Sequence, residues 1–215
     1  LNDGKAIKNW ILKNQPKKAV IVGAGYIGME MVEVFRHYGI EVLMMKRTTE
    51  VPTGFEPEIG DRVRQTLAKH NVQLLTSITL KGFEGKNKVK KVITAQGEYP
   101  ADMVLVATGV RPNSELAEQA GLKLGFKKAI AVNDQLQTSF PDIYSAGDCA
   151  EHWHRILKKP AWIPLGTTAN KQGRIAGANA VGLGQKFAGI VGTAVFRTFE
   201  LEVARTGLGL EPVSY

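Results

Sequence analysis

The sequence predicts an α/β fold in which short apolar strands alternate with amphipathic helices. The first observation is an apolar strand over residues 19–22 that runs into three glycines with the spacing G-x-G-x-x-G. The second is a helical pattern, with apolar side chains every three or four positions from Met29 to Tyr38. The third is another apolar strand over residues 40–45. This order predicts the start of a parallel sheet of the Rossmann type.

The glycine-rich turn predicts a binding site for a dinucleotide. Gly23 permits the tight turn, Gly25 lets a pyrophosphate approach the backbone, and Gly28 lets the helix pack closely on the strand. The helix that follows begins with unpaired N–H groups and the positive end of its dipole, which suit phosphates. The flanking strands and helix favour this interpretation over an ordinary glycine-rich turn.

The residues after the second strand bear on which dinucleotide binds. A carboxylate there would hold the adenosine ribose of NAD, whereas a cation would suit the 2′-phosphate of NADP. Lys46 and Arg47 stand at this point and favour NADP. The alternative is that both are solvated charges and that Glu50 or Glu41 serves the ribose of NAD.

Composition and charge limit the classes of protein. The 215 residues are 44% apolar and 22% charged, which is ordinary for a globular protein with a buried core. The net charge of +8 could indicate nucleic acid binding, but the lysines lie in small groups without interleaved aromatic residues, so we expect none. We also expect no membrane segment. The single cysteine, Cys149, excludes an internal disulfide and indicates a reducing compartment, which we take to be the cytoplasm.

The other elements follow from periodicity and turn residues. In the first half we predict helices over residues 1–15 and 56–70, strands over 72–75 and 103–107, and a β-meander between them with strands over 78–83 and 89–95. The last strand leads to Gly109, which puts bare backbone at the sheet edge where ligands bind. In the second half we predict helices over 116–120 and 167–181 and strands over 130–132, 143–146, 193–199 and 202–206. Because the first helix lacks a capping signal, we expect a fragment of a longer protein.

Four motifs in this order resemble the FAD-dependent pyridine nucleotide–disulfide oxidoreductases. They occupy residues 23–30, 107–113, 144–151 and 163–174. The branch that looks closest is the coenzyme A-disulfide reductase and NADH oxidase group. The resemblance implies a Rossmann-like NAD(P) domain with a β-meander over 1–112, the returning part of an FAD-binding domain over 113–184, and the truncated start of an α+β dimerisation domain over 185–215.

The resemblance also carries site residues onto this sequence. Asp148 matches the aspartate that hydrogen-bonds the FAD ribityl chain, or else it belongs to a simple turn; the helix from Thr167 matches the one that points at the flavin pyrimidine. Glu30 matches an acid near flavin and nicotinamide, with a first-turn helix carboxylate as the alternative. Tyr26 covers the nicotinamide pocket or is a core or rim aromatic. The predicted cofactor-binding residues are Gly23, Gly25, Tyr26, Ile27, Gly28, Glu30, Lys46, Arg47, Gly109, Gly147, Asp148, Leu165, Thr167 and Thr168.

We predict neither a catalytic side chain nor a metal ligand within this sequence. The redox-active cysteine of the family belongs to its N-terminal half-domain, which would lie upstream of Leu1. Cys149 stands where the family has a small buried residue, and a reactive thiol needs a lowered pKa and access. His152 and His154 flank Trp153, and we expect them in a surface loop.

The resemblance implies a flavoprotein that passes hydride from NAD(P)H to FAD and then to a small-molecule disulfide, such as coenzyme A disulfide, or to oxygen. The intact protein would be a homodimer, and this fragment alone would be inactive. One alternative is an NAD(P)H-dependent reductase of rubredoxin, ferredoxin or a quinone. The other is a nucleotide-binding module without turnover.

Overall fold

Residues 2–209 are described by a computed structural model, and their contacts form two compact units. The first unit contains the chain up to Gly109 together with Phe196–Val203. The second contains Val110–Val195 and the described residues after Val203, 204–209. The three domains expected from the sequence, 1–112, 113–184 and 185–215, stay predictions.

The first unit is an α/β sandwich of the predicted kind. Its helices and strands, in chain order, are α1 (Asn2–Asn14), β1 (Lys18–Val22), α2 (Tyr26–His37), β2 (Glu41–Met45), α3 (Pro57–Lys69), β3 (Val72–Leu75), β4 (Leu80–Glu84), β5 (Lys91–Thr94), β6 (Glu98–Pro100) and β7 (Met103–Val106). Every helix and strand predicted for this part is present, with bounds that shift by a few residues.

A four-stranded parallel sheet forms the centre of this unit. The strand order is β3-β2-β1-β7, and Val22 at the end of β1 pairs with Met45 of β2 and Val106 of β7. The carboxyl ends of three strands are therefore level with one another. Because β1 and β2 are buried on both faces, they read as continuous apolar runs rather than alternating ones.

Different elements cover the two faces of the sheet. Helix α2 buries Met29, Val32 and Phe35 in the larger core cluster. On the other face, the antiparallel meander β4-β5-β6 packs Val92 against the sheet, and Ala101, which comes directly after β6, packs beside it. The predicted meander is thus confirmed, and the structure shows that it packs over the parallel sheet.

The second unit is more irregular. It contains α4 (Glu115–Gln119), β8 (His152–His154), β9 (Lys159–Ala161) and α5 (Gly166–Ala180), with a 3₁₀ turn at Gly147–Cys149. The strands predicted over 130–132 and 143–146 were wrong. Within the described residues these segments form isolated bridges, such as those from Ile130 to Leu124 and Ala150, since neither lies along a partner strand for more than one residue.

The surface loop predicted around His152 and His154 was also wrong. These residues lie on strand β8, which pairs with β9. Strand alternation places both imidazoles on the buried face and leaves the intervening Trp153 49% exposed. The helix predicted over 167–181 is confirmed as α5.

The last two strands, β10 (Ala194–Thr198) and β11 (Leu201–Arg205), are present as predicted, and they pair in a two-stranded sheet. Their middle part packs into the core of the first unit through Phe196 and Val203. At the connecting turn, Glu200 accepts hydrogen bonds from Lys69 and His70 at the end of α3. In residues 2–209, no helix has both the length and the hydropathy required to cross a bilayer.

Candidate functional site

The turn between β1 and α2 depends on glycine at two positions for different reasons. Gly23 has a φ of +117°, and a Cβ there would overlap the carbonyl oxygen of Ala107 on the neighbouring strand segment. A Cβ at Gly28 would overlap the carbonyl oxygen of Gly23, so the helix packs directly on the turn. At Gly25, by contrast, a Cβ would meet no described atom within 4 Å. The fold itself therefore requires glycine at positions 23 and 28, whereas the space beside the Gly25 Cα is open.

Helix α2 begins directly after this turn. Gly25 is its N-cap, and within the described chain no side chain caps the first N–H groups. No acidic residue lies in the first turn, which rules out the first-turn interpretation of Glu30. An uncapped N-terminus of a twelve-residue helix carries a partial positive charge and free donors that suit a phosphate.

A cavity of about 740 Å³ lies at the carboxyl ends of the parallel strands. This volume is in the range of cofactor sites. Its lining residues are Val22, Gly23, Ala24, Gly25, Met45, Lys46, Arg47, Thr48, Thr53, Ile78, Thr79, Leu80, Ala107, Thr108 and Gly109. The cavity therefore brings together five of the predicted nucleotide-binding residues: Gly23, Gly25, Lys46, Arg47 and Gly109.

The other four predicted nucleotide-binding residues, Tyr26, Ile27, Gly28 and Glu30, lie outside the lining of this cavity. Gly28 lies on α2 against the backbone of the turn, next to the carbonyl oxygen of Gly23. Tyr26 packs against Phe196 and Phe55, with ring centroids 5.4 and 6.5 Å away. This packing matches the core-or-rim alternative for Tyr26. Its role toward the nicotinamide, and that of the exposed Ile27, stay predictions.

Glu30 lies on a second, more open groove of about 470 Å³. That groove is also lined by Glu33, Val34, His37, Tyr38 and Arg197. Glu33 is tied to the hairpin that contains β10, because it accepts a hydrogen bond from the Phe199 N–H at 2.9 Å. Glu30 makes no such contact among the described residues and is exposed, so its predicted role near the flavin stays a prediction.

The two cations after β2 differ in their surroundings. The Nζ of Lys46 donates to the Oγ1 of Thr53 at 2.6 Å, and burial lowers the pKa of this amine. Arg47 is exposed at the rim of the cavity. Glu41, one of the two acids considered for the ribose of NAD, lies at the opposite end of β2 and pairs with Lys18. Lys46 and Arg47 therefore line the cavity, whereas Glu41 lies too far away to bind the ribose of a nucleotide there.

Sequence patterns missed several residues that line the cavity. Thr48, Thr53, Thr79 and Thr108 add hydroxyl groups to it. Thr108 could have been found, because it adjoins Gly109 at the end of a buried strand. Thr53 and Thr79 come from a loop and from the entry to the meander, and the paths of these segments have no sequence signature.

The second unit contains the residues predicted to contact flavin. The turn at Gly147–Cys149 packs on the first turns of α5, where Ala169 Cβ would lie 3.3 Å from a Cβ at Gly147. The Asp148 carboxylate is exposed and accepts no hydrogen bond from residues 2–209. Its backbone carbonyl, in contrast, accepts a hydrogen bond from the Trp162 indole at 2.8 Å. A fixed backbone with a free carboxylate fits the recognition of a sugar hydroxyl.

The start of α5 lies beside this turn. Leu165 is the N-cap, and within the described residues no side chain caps the helix. Thr167 is exposed and Thr168 is buried, and the first turn has no acidic residue. Together with Gly147 and Asp148, this end of α5 groups all five predicted flavin-binding residues in one part of the second unit. These polar groups, the donor N–H groups of an uncapped helix end and an acceptor carboxylate, are consistent with one polar ligand.

The histidines and the cysteine of this unit have structural surroundings. The Nδ1 atoms of His152 and His154 accept backbone N–H groups of Ile163 and Leu157, and burial lowers the pKa of both imidazoles. The Sγ of Cys149 lies 3.5 Å from the Ser145 hydroxyl. No group of histidine, cysteine and acidic residues in the described part of the chain could hold a metal ion.

Comparison with known proteins agrees with this geometry. A family model described as pyridine nucleotide-disulphide oxidoreductase matches residues 5–173. The NAD(P)H coenzyme A polysulfide/persulfide reductase of Pyrococcus horikoshii is 42% identical over 207 residues, which is 96% of this chain and 46% of that protein. The NADH oxidase of Methanocaldococcus jannaschii is 41% identical over 209 residues, 97% of this chain and 46% of that protein.

Among solved structures, that of reduced Bacillus anthracis CoADR-RHD matches with a TM-score of 0.92 at 35% identity, covering 98% of this chain and 38% of that chain. The chain therefore spans less than half the length of each of these three proteins. Because the family model matches most of the sequence, the chain belongs to the pyridine nucleotide-disulphide oxidoreductases, as its four motifs predicted.

Proposed function

We propose that this chain forms the NAD(P)H-binding part and a portion of the flavin-binding part of a flavoprotein oxidoreductase. The observation that carries the proposal is the open space at Gly25, between an uncapped helix end and the cavity at the sheet edge. In an open α/β sheet this edge is where ligands bind. The family is FAD-dependent and uses NAD(P)H, which agrees with two separate sets of binding residues.

The residues of this chain would bind and orient, while the cofactors supply the hydride chemistry. The N–H groups at the start of α2 would hold the dinucleotide phosphates against Gly25. The Asp148 carboxylate would accept a hydrogen bond from a ribityl hydroxyl, and a charge-assisted bond of this kind is about twice as strong as a neutral one. The start of α5 would favour negative charge on the reduced flavin by about 0.5–2 kcal/mol.

We propose a small sulfur compound or oxygen as the electron acceptor. The Pyrococcus relative is named for polysulfide and persulfide reduction, and the Methanocaldococcus relative is named an NADH oxidase. A homodimer and a cytoplasmic location complete the proposal. Reduction of rubredoxin, ferredoxin or a quinone is the alternative, and assaying these acceptors beside coenzyme A disulfide and oxygen distinguishes them.

The whole protein, including any sequence beyond residues 1–215, tests the proposal. We expect it to purify with FAD or to take up FAD on reconstitution, and we expect NAD(P)H to bleach the flavin absorbance under anaerobic conditions. A protein that neither contains nor takes up FAD would contradict the oxidoreductase. If such a protein still bound NADPH in calorimetry, the nucleotide-binding module would be the correct function.

We further propose that NADPH is preferred over NADH through Arg47. Its guanidinium is exposed at the cavity rim, whereas Lys46 is half-buried against Thr53. Arg47→Ala should weaken NADPH binding about tenfold, which is about 1.4 kcal/mol, and leave NADH binding within about twofold. Arg62→Ala is the matched control, since this arginine is exposed on α3 and does not line the cavity. Equal losses for both nucleotides, or tighter binding of NADH to the unaltered protein, would contradict the preference.

A further inference from the structure

Helix α5 carries a buried amide whose hydrogen bond lies next to the predicted flavin acid. Gln172 is 0% exposed, and its Oε1 accepts the backbone N–H of Gly147 at 2.8 Å. Gly147 has a φ of +82°, a conformation that glycine adopts without strain, and Asp148 follows it directly. The contact therefore holds the backbone immediately before the Asp148 side chain.

The backbone after Asp148 is held as well. The Asp148 carbonyl accepts the Trp162 indole N–H at 2.8 Å, and the Ala150 N–H donates back to the Gly147 carbonyl at 3.0 Å. The turn is thus fixed on both sides of Asp148, while the carboxylate accepts no hydrogen bond from residues 2–209 and only interacts electrostatically with His152. A residue whose main chain is fixed in this way has few directions left for its side chain.

The amide of Gln172 is not explained by packing. Its Nε2 is buried and donates no hydrogen bond within the described residues. The Gln172 side chain also interacts with the His152 imidazole, where it opposes the lowering of the His152 pKa by burial. The Nδ1 of His152 accepts the Ile163 N–H at 3.2 Å, so in the neutral ring the proton is on Nε2. Because burying an unpaired donor is unfavourable, leucine would fill this space at lower cost. Leucine lacks the side-chain oxygen, which accepts the Gly147 N–H, and the polar contact with the His152 imidazole.

We propose that Gln172 is a positioning residue for the flavin: by holding the Gly147 N–H, it sets the direction in which the Asp148 carboxylate meets the ribityl chain. The inference rests on the proposed function, since it takes Asp148 as a flavin contact. It assigns to α5 a second role besides the one at its N-terminus.

Substitution in the whole flavoprotein, including any sequence beyond residues 1–215, tests this role. Gln172→Leu removes the acceptor, and we expect the dissociation constant of FAD, measured by flavin fluorescence on the apoprotein, to rise about tenfold. The visible absorbance of the bound flavin should shift as well. Gln172→Glu keeps an acceptor for Gly147, and its second oxygen can accept from the His152 Nε2–H. This variant should retain FAD affinity within about threefold of the unaltered protein.

Asn179→Leu is the matched control for lost stability. Asn179 is a buried amide on the same helix, and it bonds the backbone of Gln135 and Gln185 rather than the turn at Gly147. We expect it to lower the unfolding temperature as Gln172→Leu does, but to leave the FAD dissociation constant and the flavin spectrum unchanged. Binding of NADPH, measured in parallel, should be unaffected by all three variants.

Two results would overturn the inference. One is an FAD dissociation constant for Gln172→Leu within about twofold of the unaltered protein. The other is an equal loss of FAD affinity in Gln172→Leu and Asn179→Leu, which would indicate a general effect of helix stability. Asp148→Asn separates this failure from that of the proposed function. If Asp148→Asn left FAD binding intact, the flavin role of Asp148 itself would be wrong, whatever Gln172 does.

Discussion

The two candidate sites are built in different ways, although each lies at an uncapped helix start. In the first unit the turn before α2 is shaped by the main chain of Gly23, Gly25 and Gly28, which are neighbours in sequence. In the second unit the turn at Gly147 is held by side chains 25 and 14 positions away from the atoms they bind, those of Gln172 and Trp162. The comparison shows that the first site depends on glycines, which have no side chain, whereas the second depends on hydrogen bonds from the side chains of Gln172 and Trp162.

This difference decides which substitutions damage each site. Adding one methyl group to the first turn should be enough to deform it or to occupy the space of a ligand. In the second site, a side chain must lose its acceptor or donor before the turn is released. The following predictions examine this contrast, beginning with the largest expected effect.

Gly23→Ala should damage the first unit most. The added methyl group would overlap the carbonyl oxygen of Ala107, and the φ of +117° is strained for alanine. We expect the free energy of unfolding to fall by about 2–5 kcal/mol, from backbone strain and overpacking together. Chemical denaturation measures this loss, and a variant of unchanged stability would show that the turn is not constrained as described.

Gly25→Ala should separate binding from folding. Its φ is −91° and a Cβ would meet no described atom within 4 Å, so the free energy of unfolding should change by less than about 1 kcal/mol. Binding of NADPH should nevertheless weaken about tenfold or more, because the methyl group occupies the space left for the pyrophosphate. Calorimetry checks the affinity. Unchanged affinity would place the phosphates elsewhere and would remove the main support for the nucleotide site.

The second unit should be the more sensitive of the two to mild acid. Burial lowers the pKa of His152 and His154 below the usual 6.5, so the unfolded chain takes up protons that the folded one does not. The contribution of these two neutral histidines to the free energy of unfolding is therefore complete above pH 6.5 and is lost as the pH falls below it. His152→Asn, whose Oδ1 can still accept the Ile163 N–H, should flatten this part of the stability profile. The exposed His37→Asn is the control and should leave the profile unchanged.

The first unit should lose stability at lower pH and by a smaller amount. Hydrogen bonds from Lys69 and His70 lower the pKa of Glu200 from 4.5 to about 2. The contribution of the ionised Glu200 to the free energy of unfolding is present above pH 4.5 and is lost as the pH falls toward 2. Because the pair is exposed, the effect should be small and should shrink in high salt. Glu200→Gln should remove this acid-dependent loss and Glu202→Gln should not; equal profiles for the two would contradict the ion pair.

Most of the first unit could be predicted, whereas the second could be predicted only in part. The parallel strands and the turn at Gly23 follow from patterns within a few residues, and the structure confirms them. The strands predicted over 130–132 and 143–146 failed because apolar residues were taken as evidence of pairing, and pairing depends on a neighbour that local sequence does not specify. The surface loop predicted around His152 and His154 failed because strand alternation along β8 buries both imidazoles, and the pairing of β8 with β9 has no local signal in the sequence.

The candidate sites divide in the same way. Gly23 and Gly28 could be predicted from the glycine spacing, because the tight turn and the close packing of the helix leave no room for a Cβ at either position. Gly25 followed from the same spacing, and Gly109 followed from its place at the end of an apolar strand. The packing of Tyr26 against Phe55 and Phe196, and the bond from Gly147 to Gln172, came from the folded molecule. Such contacts join segments that are distant in sequence, and their geometry depends on how whole helices and strands pack, which leaves no local pattern to read.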